Sequence, residues 1–493
     1  MEVELHSMPI KVNAYHHQRD AYDFVLRLYR QNSKHIGASL LMEMGTGKTL
    51  TAIAVAGKLY EALRINRLLI VAPLSILGVW KEEFEKFAAF PYTLEVLEGS
   101  GDQKREQISK LRGKGLQVLV VNYESCWRLE EEISDWAPDM IIADEGHKLK
   151  SHKTQASKAM HRLGAQARYK LLLTGTPITN KAIDIFSQYK FADSRVFGPS
   201  FYSFRTRFFN MTGYGNYTPV MKKEKEQEFM KRMHSIAFRA RKADCLDLPE
   251  VTDIIHTIKL EPKAMKLYGG LVEESYAELS RGDLTVTNVL TKILRLSQLT
   301  GGFLSADDSS RIEQVSSAKL DVLSDLIDAS VQEGQKLVVI ARFVAEIEAI
   351  KVLLESKGIG YAVIAGGVTD REEQVSRFQN DPDMLVFIGQ IATAGMGITL
   401  TAASTMVFYS MDYSMSNFEQ AKARIHRAGQ KYPCTYMYLI AENTRSILEG
   451  NFYTQQPNAN KEEGEKSEDE QDQKQVLGVE KPDGNRHRIG EGA

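Results

Sequence analysis

The sequence predicts an α/β fold with two tandem parallel-sheet lobes and a helical insertion between them. Two stretches of the chain alternate short, β-rich apolar runs with helical patterns, which is typical of parallel sheets covered by helices. The apolar runs are nearly continuous, as expected for strands buried on both faces. We predict strands at 39–42, 68–72, 118–121, 140–143 and 170–173 in the first stretch, and at 336–340, 361–364, 384–388 and 405–409 in the second.

These patterns divide the chain into four segments. Residues 1–185 are predicted to form an N-terminal lobe, 186–318 a helical and basic insertion, and 319–450 a C-terminal lobe. The remaining residues, 451–493, are rich in Glu, Gln, Lys and Asp. A segment of that composition cannot bury enough apolar surface to offset its ordering entropy, so we expect a disordered polar tail.

Composition excludes several classes of protein. No apolar run approaches the roughly 20 residues that a membrane span needs, and the acidic N-terminus lacks the pattern of a secretory signal. The three cysteines, Cys126, Cys245 and Cys434, are far apart and favour buried thiols over a disulfide framework. We therefore expect a cytoplasmic protein of a prokaryotic or phage-infected cell. The net charge is −2, so any nucleic-acid surface must be a local patch.

A glycine-rich turn over residues 43–49 joins the first predicted strand to a helical pattern over 50–63. Glycines let backbone N–H groups close round phosphates, and the following helix adds the positive end of its dipole. Lys48 would reach the β- and γ-phosphates, and the Thr49 hydroxyl would hold Mg²⁺. The alternative is a plain glycine turn, because Met42 replaces the first glycine of the strict pattern. The residues predicted to bind ATP here are Gly45, Thr46, Gly47, Lys48 and Thr49.

An acidic pair, Asp144 and Glu145, follows the strand at 140–143. An acid at the C-terminal end of a parallel strand points into the crevice where ligands bind. We predict that Asp144 coordinates Mg²⁺, through water, and that Glu145 orients and deprotonates the attacking water. The alternative is a solvated turn. His147 would either couple this site to the other lobe or hydrogen-bond within its own.

Two arginines near the end of the second stretch are predicted to reach the same site from the other lobe. On a helix, Gln420, Arg424 and Arg427 lie at spacings of four and three, hence on one face. Such arginines suit a γ-phosphate presented by the facing lobe, although in isolation this run favours a surface basic face. Thr174 and Thr176, in the turn after the strand at 170–173, are predicted to couple the metal carboxylate to bound nucleic acid, or to form an ordinary loop.

Residues 201–244 combine ten Lys or Arg residues and four acids with interleaved aromatic residues. Local excess positive charge of this kind is typical of contacts to a phosphate backbone. Arg239 and Arg241 are the predicted DNA contacts, and a solvated helical face is the equally weighted alternative.

The motifs together resemble those of the Swi/Snf-related ATPases of helicase superfamily two, the double-stranded DNA translocase type. They appear in the order EMGTGKT, DEGHKLK, LTGTPITN, GMGITLTAAS and QAKARIHRAGQ, and the resemblance covers about residues 10–450. The resemblance implies two RecA-like lobes of the P-loop NTPase type, Mg-ATP hydrolysis stimulated by DNA, and translocation on duplex DNA. Departures from the pattern of chromatin remodellers, such as Gln390 and Thr399, favour a minimal prokaryotic or phage form.

The resemblance also implies roles for residues outside the phosphate loop and the acidic pair. Gln18 sits where the family reads adenine, and Gly397 where it contacts the nucleotide. Gln420 falls among the coupling residues. The positions that resemble DNA-tracking elements are Pro73, Ser75, Trp80, Asn122, Gly367 and Thr393.

The sequence thus predicts a monomeric motor that uses ATP and Mg²⁺ to move along duplex DNA, with a possible protein partner. Three alternatives remain open. One is a strand-separating DNA helicase of replication, recombination or repair. Another is an ATP-gated DNA-binding adaptor with low turnover, against which Glu145, Arg424 and Arg427 argue. The third is the motor subunit of a restriction or defence system, whose nuclease would have to come from a partner.

Overall fold

The computed structural model describes residues 7–30, 36–175, 182–213, 218–281, 286–305, 312–366, 368, 370–391, 398–412 and 414–444. The strands in chain order are β1 Ile36–Met42, β2 Arg67–Ala72, β3 Tyr92–Val96, β4 Leu116–Asn122, β5 Met140–Ala143, β6 Tyr169–Thr174, β7 Phe209–Thr212, β8 Thr218–Met221, β9 Ala237–Ala240, β10 Val251–Ile258, β11 Phe303–Ser305, β12 Ile312–Gln314, β13 Lys336–Ala341, β14 Gly360–Ile364, β15 Met384–Gln390, β16 Ala403–Phe408 and β17 Cys434–Ala441.

Helices cover these strands and connect them. In chain order they are α1 His16–Tyr29, α2 Lys48–Glu61, α3 Leu77–Phe87, α4 Gly101–Lys110, α5 Tyr123–Arg128, α6 Glu130–Trp136, α7 Gln155–Gln166, α8 Ile185–Phe197, α9 Phe201–Phe208, α10 Glu226–His234, α11 Lys242–Cys245, α12 Pro262–Arg281, α13 Val286–Thr300, α14 Ala318–Gln332, α15 Val344–Ser356, α16 Arg371–Asn380 and α17 Met415–Lys422. None of the helices in the described ranges is long and apolar enough to cross a membrane.

Two parallel sheets form the two lobes, which confirms the predicted fold class. The first has the order β3-β4-β2-β5-β6-β1-β9 and the second the order β10-β17-β16-β13-β15-β14. All neighbouring strands within each of these two sheets run parallel. Every predicted strand is present, with bounds that differ by at most a few residues.

Burial on both faces explains the continuous apolar runs of the first sheet. Leu69, Val71 and Leu119 pack into a core on one face, whereas their neighbours Leu68 and Ile70 pack into a separate core on the other. Successive side chains of a strand point to opposite faces, so a strand covered on both sides needs apolar residues at every position.

The predicted boundaries of the helical insertion, 186 and 318, are wrong. The short strand β9 pairs with β1 at the edge of the first sheet, and β10 pairs with β17 at the edge of the second. Both segments belong to the lobes. Edge strands have one exposed side and carry polar residues, so their sequences lack the continuous apolar run by which the central strands were found.

Gly37 in β1 allows a close approach between α8 and the first sheet. A Cβ at this position would lie 1.8 Å from the carbonyl oxygen of Ala192 in α8. We expect Gly37→Ala to lower the free energy of unfolding by about 3 kcal/mol, because the clash is with main chain that cannot move aside locally. Gly78→Ala in α3 is the control, since nothing lies within 4 Å of that site and alanine should stabilise the helix. Chemical denaturation measures both, and equal effects would contradict the prediction.

Candidate nucleotide site

The glycine-rich turn between β1 and α2 adopts the backbone that glycine favours. Gly45 and Gly47 have φ values of 84° and 89°, in the region that side chains with a Cβ rarely adopt. A Cβ at Gly47 would lie 2.1 Å from Gln18 Nε2. The turn therefore requires glycine at 47 both for its conformation and for the close approach of α1.

Lys48, the first residue of α2, lies inside this loop. Its Nζ donates to Met42 O at 2.7 Å and to Glu43 O at 3.3 Å. Burial lowers the pKa of Lys48, and the nearby Glu145 and Asp144 carboxylates oppose that shift. An ammonium has three N–H donors, so within the described part of the chain one remains for a phosphate oxygen brought to the loop.

Gln18 lies against the phosphate loop with its amide already engaged. Gln18 Nε2 donates to Thr46 O at 3.1 Å, and its Oε1 accepts from Tyr15 N at 3.0 Å. His17 Nε2 lies 2.8 Å from the same carbonyl of Thr46. These bonds use one of the two N–H donors and one of the two lone pairs of the amide, and the adenine contact of Gln18 stays a prediction.

The Asp144 carboxylate is buried at the end of β5 and is held by two groups. Trp80 Nε1 donates to Oδ2 at 3.0 Å, and the Glu145 N–H donates to Oδ1 at 2.9 Å. Tyr123 OH fixes the main chain through Asp144 O at 2.7 Å. Burial, followed by the Glu145 carboxylate, raises the pKa of Asp144 to about 7, although Lys48 lowers it.

The predicted DNA contact of Trp80 is wrong. Its side chain is only 1% exposed and packs in the core between α3 and the sheet, where it serves Asp144. An indole is amphipathic, and its N–H finds a buried acceptor here rather than a nucleic acid. The position of Trp80 in a family motif did not distinguish a contact to DNA from a hydrogen bond to Asp144.

Trp80→Phe is expected to raise the Mg²⁺ concentration for half-maximal ATP hydrolysis about tenfold, because hydrogen bonds to charged groups contribute about 1.5–3 kcal/mol. The loss of this donor makes the ionised form of Asp144 less favourable. Trp136→Phe is the matched control, since the Trp136 indole nitrogen has no hydrogen-bond partner in the described part of the chain. A Mg²⁺ titration of turnover tests the prediction, and equal shifts in the two variants would contradict it.

Glu145 has a strained backbone beside its buried carboxylate. Its φ and ψ are 48° and 53°, a left-handed conformation that is costly for a residue with a side chain and that clusters at functional sites. Glu145 Oε2 lies 3.2 Å from His147 Nδ1. Burial raises the pKa of Glu145, but His147 and Lys48 lower it by more than burial raises it. The net shift is therefore downward.

Arg424 and Arg427 reach the phosphate loop, but not from a helix. Helix α17 ends at Lys422, and both arginines follow in a turn, residues 424–427, that we call the arginine turn. The single-face prediction, which assumed a continuous helix, is wrong. Both Nη1 atoms instead converge on Ile398 O, at 3.4 Å from Arg424 and 3.2 Å from Arg427.

The two lobes meet where the arginine turn faces the phosphate loop. Arg427 Cβ lies 3.4 Å from the position that a Cβ would have at Gly45. Arg424 is 7% exposed; burial and Arg427 lower its pKa to about 9, and Glu145 raises it. The structure therefore brings together the five residues assigned to catalysis, Lys48, Asp144, Glu145, Arg424 and Arg427.

Lys242 belongs to this site and was not singled out by the sequence. Its Nζ donates to His426 O at 3.0 Å, and its N–H donates to Glu43 Oε2 at 2.9 Å. Burial lowers the pKa of Lys242 to about 8, and Glu43 and Glu419 oppose that shift. No local signal marks it, because its place at the site depends on the pairing of β9 with β1, which brings the end of β9 to the edge of the sheet where the other parallel strands end.

Other predicted residues lie elsewhere. Thr174 and Gln420 are buried near the site. Ser75 is exposed beside the half-buried Pro73, and Asn122 accepts a hydrogen bond from Ser125 N as the cap of α5. The remaining residues of these predictions fall outside the described ranges: Thr176, Gly367, Thr393 and Gly397.

The phenylalanine residues of 201–244 pack in or against the hydrophobic cores, whereas Tyr202 is 70% exposed. Phe204, Phe208 and Phe209 are buried and cluster with Phe197 and Phe229. The basic residues are divided. Arg239 is exposed, whereas Arg241 pairs with Asp244 at 2.8 Å.

The residues at the site fit a magnesium ion. Oxygen is the ligand atom that Mg²⁺ prefers, and a buried carboxylate such as Asp144 is favoured in its ionised form by a cation. Glu145 Oε2 is a second buried carboxylate oxygen without a well-aligned donor among the described residues. The Thr49 hydroxyl stands in the first turn of α2, next to Lys48.

Two family models match the chain. The model described as the SNF2-related domain matches residues 17–301, and the helicase conserved C-terminal domain matches residues 318–429. The first match alone covers more than half of the 493 residues. Together the two matches cover the strands of both sheets except β17, which begins at Cys434.

Curated relatives are similar over most of this chain. The DNA repair and recombination protein RDH54 of Saccharomyces cerevisiae is 28% identical over 466 residues, covering 84% of this chain and 50% of the relative. The RAD54-like protein of Drosophila persimilis is 25% identical, with 87% and 60% covered. An uncharacterized ATP-dependent helicase of Mycoplasma pneumoniae is 28% identical, with 83% and 38% covered. The chain thus spans about half the length of the curated relatives it matches.

Among solved structures, the SWI2/SNF2 ATPase core of Sulfolobus solfataricus in complex with dsDNA is 24% identical to this chain. The match covers 92% of this chain and 93% of that one, with a TM-score of 0.46.

Proposed function

Because this chain belongs to the SNF2-related family of helicase-like ATPases, we propose that it hydrolyses ATP between its two lobes and uses the energy to move along duplex DNA. The observation that carries the proposal is the approach of Arg427 to the phosphate loop, with Cβ positions 3.4 Å apart at Arg427 and Gly45. Two lobes that share one nucleotide can convert its hydrolysis into relative motion.

The chain's own residues account for the chemistry. Lys48 binds the β- and γ-phosphates, and Arg424 and Arg427 bind the γ-phosphate from the opposite lobe, where charge builds in the transition state. Glu145, whose pKa is lowered, is ionised at neutral pH and accepts a proton from the attacking water. His147, 3.2 Å away, orients that carboxylate.

Thr49 and Asp144 would hold Mg²⁺, which when bound neutralises negative charge on the phosphates. Trp80 and Tyr123 keep the Asp144 carboxylate and main chain in place for that contact.

The same site explains how nucleotide state would control the motor. ATP contacted from both lobes favours the closed arrangement, and release of phosphate removes that preference. Motion along DNA requires contacts to the backbone that carry no sequence information. The names of two relatives, both DNA repair and recombination proteins, support DNA as the track and a repair or recombination task.

ATPase rates measured without nucleic acid, with single strands, with duplex DNA and with duplex RNA test the proposal. We expect the largest stimulation by duplex DNA. A third strand should be displaced from a triplex without separation of the duplex. Separation of the duplex would favour a strand-separating helicase, and DNA binding without stimulated turnover would favour an ATP-gated adaptor.

The exposed Arg239 and the paired Arg241 test the location of the DNA surface. We expect the variant with Arg239→Glu and Arg241→Glu to need more DNA for half-maximal stimulation, and the slope of log affinity against log salt to fall by about one per lost phosphate contact. Lys266→Glu, in α12, is a control of equal charge change per site. Unchanged stimulation in the double variant would remove 239–241 from the DNA surface.

A further inference from the structure

The segment between β9 and β10, residues 241–250, connects the two lobes beside the nucleotide site. Strand β9 ends at Ala240 in the first sheet, and β10 starts at Val251 in the second. We call residues 241–250 the connector. Any opening of the lobes has to change its contacts with one lobe or the other.

The start of the connector is fixed to the phosphate loop. Glu43 N donates to Ala240 O at 3.0 Å, and Lys242 N donates to Glu43 Oε2 at 2.9 Å. The side chain and the main chain of one loop residue thus hold the point where the connector leaves the first sheet.

The connector also holds the arginine turn. Lys242 Nζ donates to His426 O at 3.0 Å, and His426 Nε2 lies 3.0 Å from Pro249 O at the other end of the connector. His426 lies between Arg424 and Arg427 in the chain. The two ends of the connector therefore both contact His426, one through its main-chain carbonyl and the other through its ring.

The charged groups around Lys242 make its contact with His426 O sensitive to separation of the lobes. Glu43 comes from the first lobe and Glu419 from α17 of the second, and each carboxylate raises the pKa of Lys242. Burial raises the pKa of Glu419 and Glu43 raises it as well, whereas Lys422 and then Lys242 lower it. The positive charge of Lys242 thus attracts one carboxylate from each lobe, and these two carboxylates would otherwise repel one another when the lobes close.

We propose that Lys242 is a positioning residue which, through His426 O, holds the arginine turn against the phosphate loop and so couples ATP binding to lobe closure. The inference rests on the proposed ATP hydrolysis and deepens it. Lys242 acts here through Arg424 and Arg427, and the contact described above places its ammonium on a protein carbonyl, His426 O.

Lys242→Met removes the donor at nearly constant volume. We expect kcat for ATP to fall about 10- to 100-fold, because a displacement of about 1 Å in a reacting group can have that effect. ADP affinity should stay within about threefold, since ADP lacks the γ-phosphate that the arginine turn contacts. Lys11→Met is the matched control, because Lys11 Nζ also donates to a main-chain carbonyl, Glu85 O at 2.8 Å, but on the exposed surface. Lys242→Gln, too short to reach His426 O, is the second variant if the first does not fold.

A double-mutant cycle with Arg427→Ala separates positioning from independent catalysis. If Lys242 acts through the arginine turn, kcat of the double variant should lie within about threefold of that of Arg427→Ala. The effects of mutations in residues that act as a unit are not additive. Multiplied losses, or a parallel fall in ADP affinity, would overturn the inference in favour of direct phosphate binding. A lower Tm with unchanged kcat would overturn it in favour of a purely structural lysine.

A readout without turnover keeps this inference separate from the proposed function. The ratio of the affinities for a non-hydrolysable ATP analogue and for ADP should fall about tenfold in Lys242→Met, equivalent to about 1.4 kcal/mol. A fall of this size supports the coupling even if wild-type protein shows no DNA-stimulated hydrolysis, which would count against the proposed function alone. An unchanged ratio would refute the role of Lys242.

Discussion

Replacement of Glu145 by glutamine is expected to lower ATP turnover by about 10²- to 10⁴-fold, the range attributed to a positioned general base. Glutamine keeps the size and the left-handed backbone but cannot accept the proton of the attacking water. Because Lys48 and the arginines remain in place, the dissociation constant for ATP should change by less than about threefold. Steady-state phosphate release and equilibrium nucleotide binding measure the two quantities.

The control for that experiment is Glu130→Gln, which removes the same charge from the first lobe. Glu130 pairs with Arg162 at 2.5 Å on the surface, so turnover should not change. Turnover of Glu145→Gln within about threefold of wild type would exclude Glu145 as the base.

Alanine at Arg424 or Arg427 is expected to lower kcat by about 10³-fold or more, as loss of an arginine finger does. Both guanidinium groups share one hydrogen-bond acceptor, Ile398 O, in the turn that faces the phosphate loop. Each stabilises charge that develops on the γ-phosphate, so ADP affinity should fall far less than kcat. Single-turnover rates with saturating ATP separate the chemical step from binding.

Lys357→Ala tests whether any loss of positive charge from the second lobe has this effect. Lys357 pairs with Asp328 between α14 and α15, away from the arginine turn. Equal losses in Lys357→Ala and the arginine variants would indicate a general electrostatic effect. Near-normal turnover in the arginine variants would mean that the second lobe does not complete the site.

Local patterns accounted for the central strands and the phosphate loop. The alternation of apolar runs with helices predicted strands such as β1 and β5, because burial of a strand on both faces requires apolar residues at successive positions. The residues from Gly45 to Thr49 predicted the turn that they form. A left-handed backbone conformation and the start of a helix both depend on residues that are close together in the chain. Asp144 and Glu145 were found for the same reason, directly after a recognisable strand.

Contacts between distant segments depend on which edges and surfaces pack together, and no local pattern contains that information. The indole of Trp80 points inward and donates to Asp144, 64 residues away along the chain. Its position in a family motif therefore led to the wrong prediction of a DNA contact. Helix α17 stops at Lys422, and the shared carbonyl of Ile398, distant in the chain, brings the guanidinium groups of Arg424 and Arg427 together. Lys242 joins the site because β9, a four-residue edge strand, pairs with β1, and that pairing is decided by the assembled sheet rather than by the residues of β9.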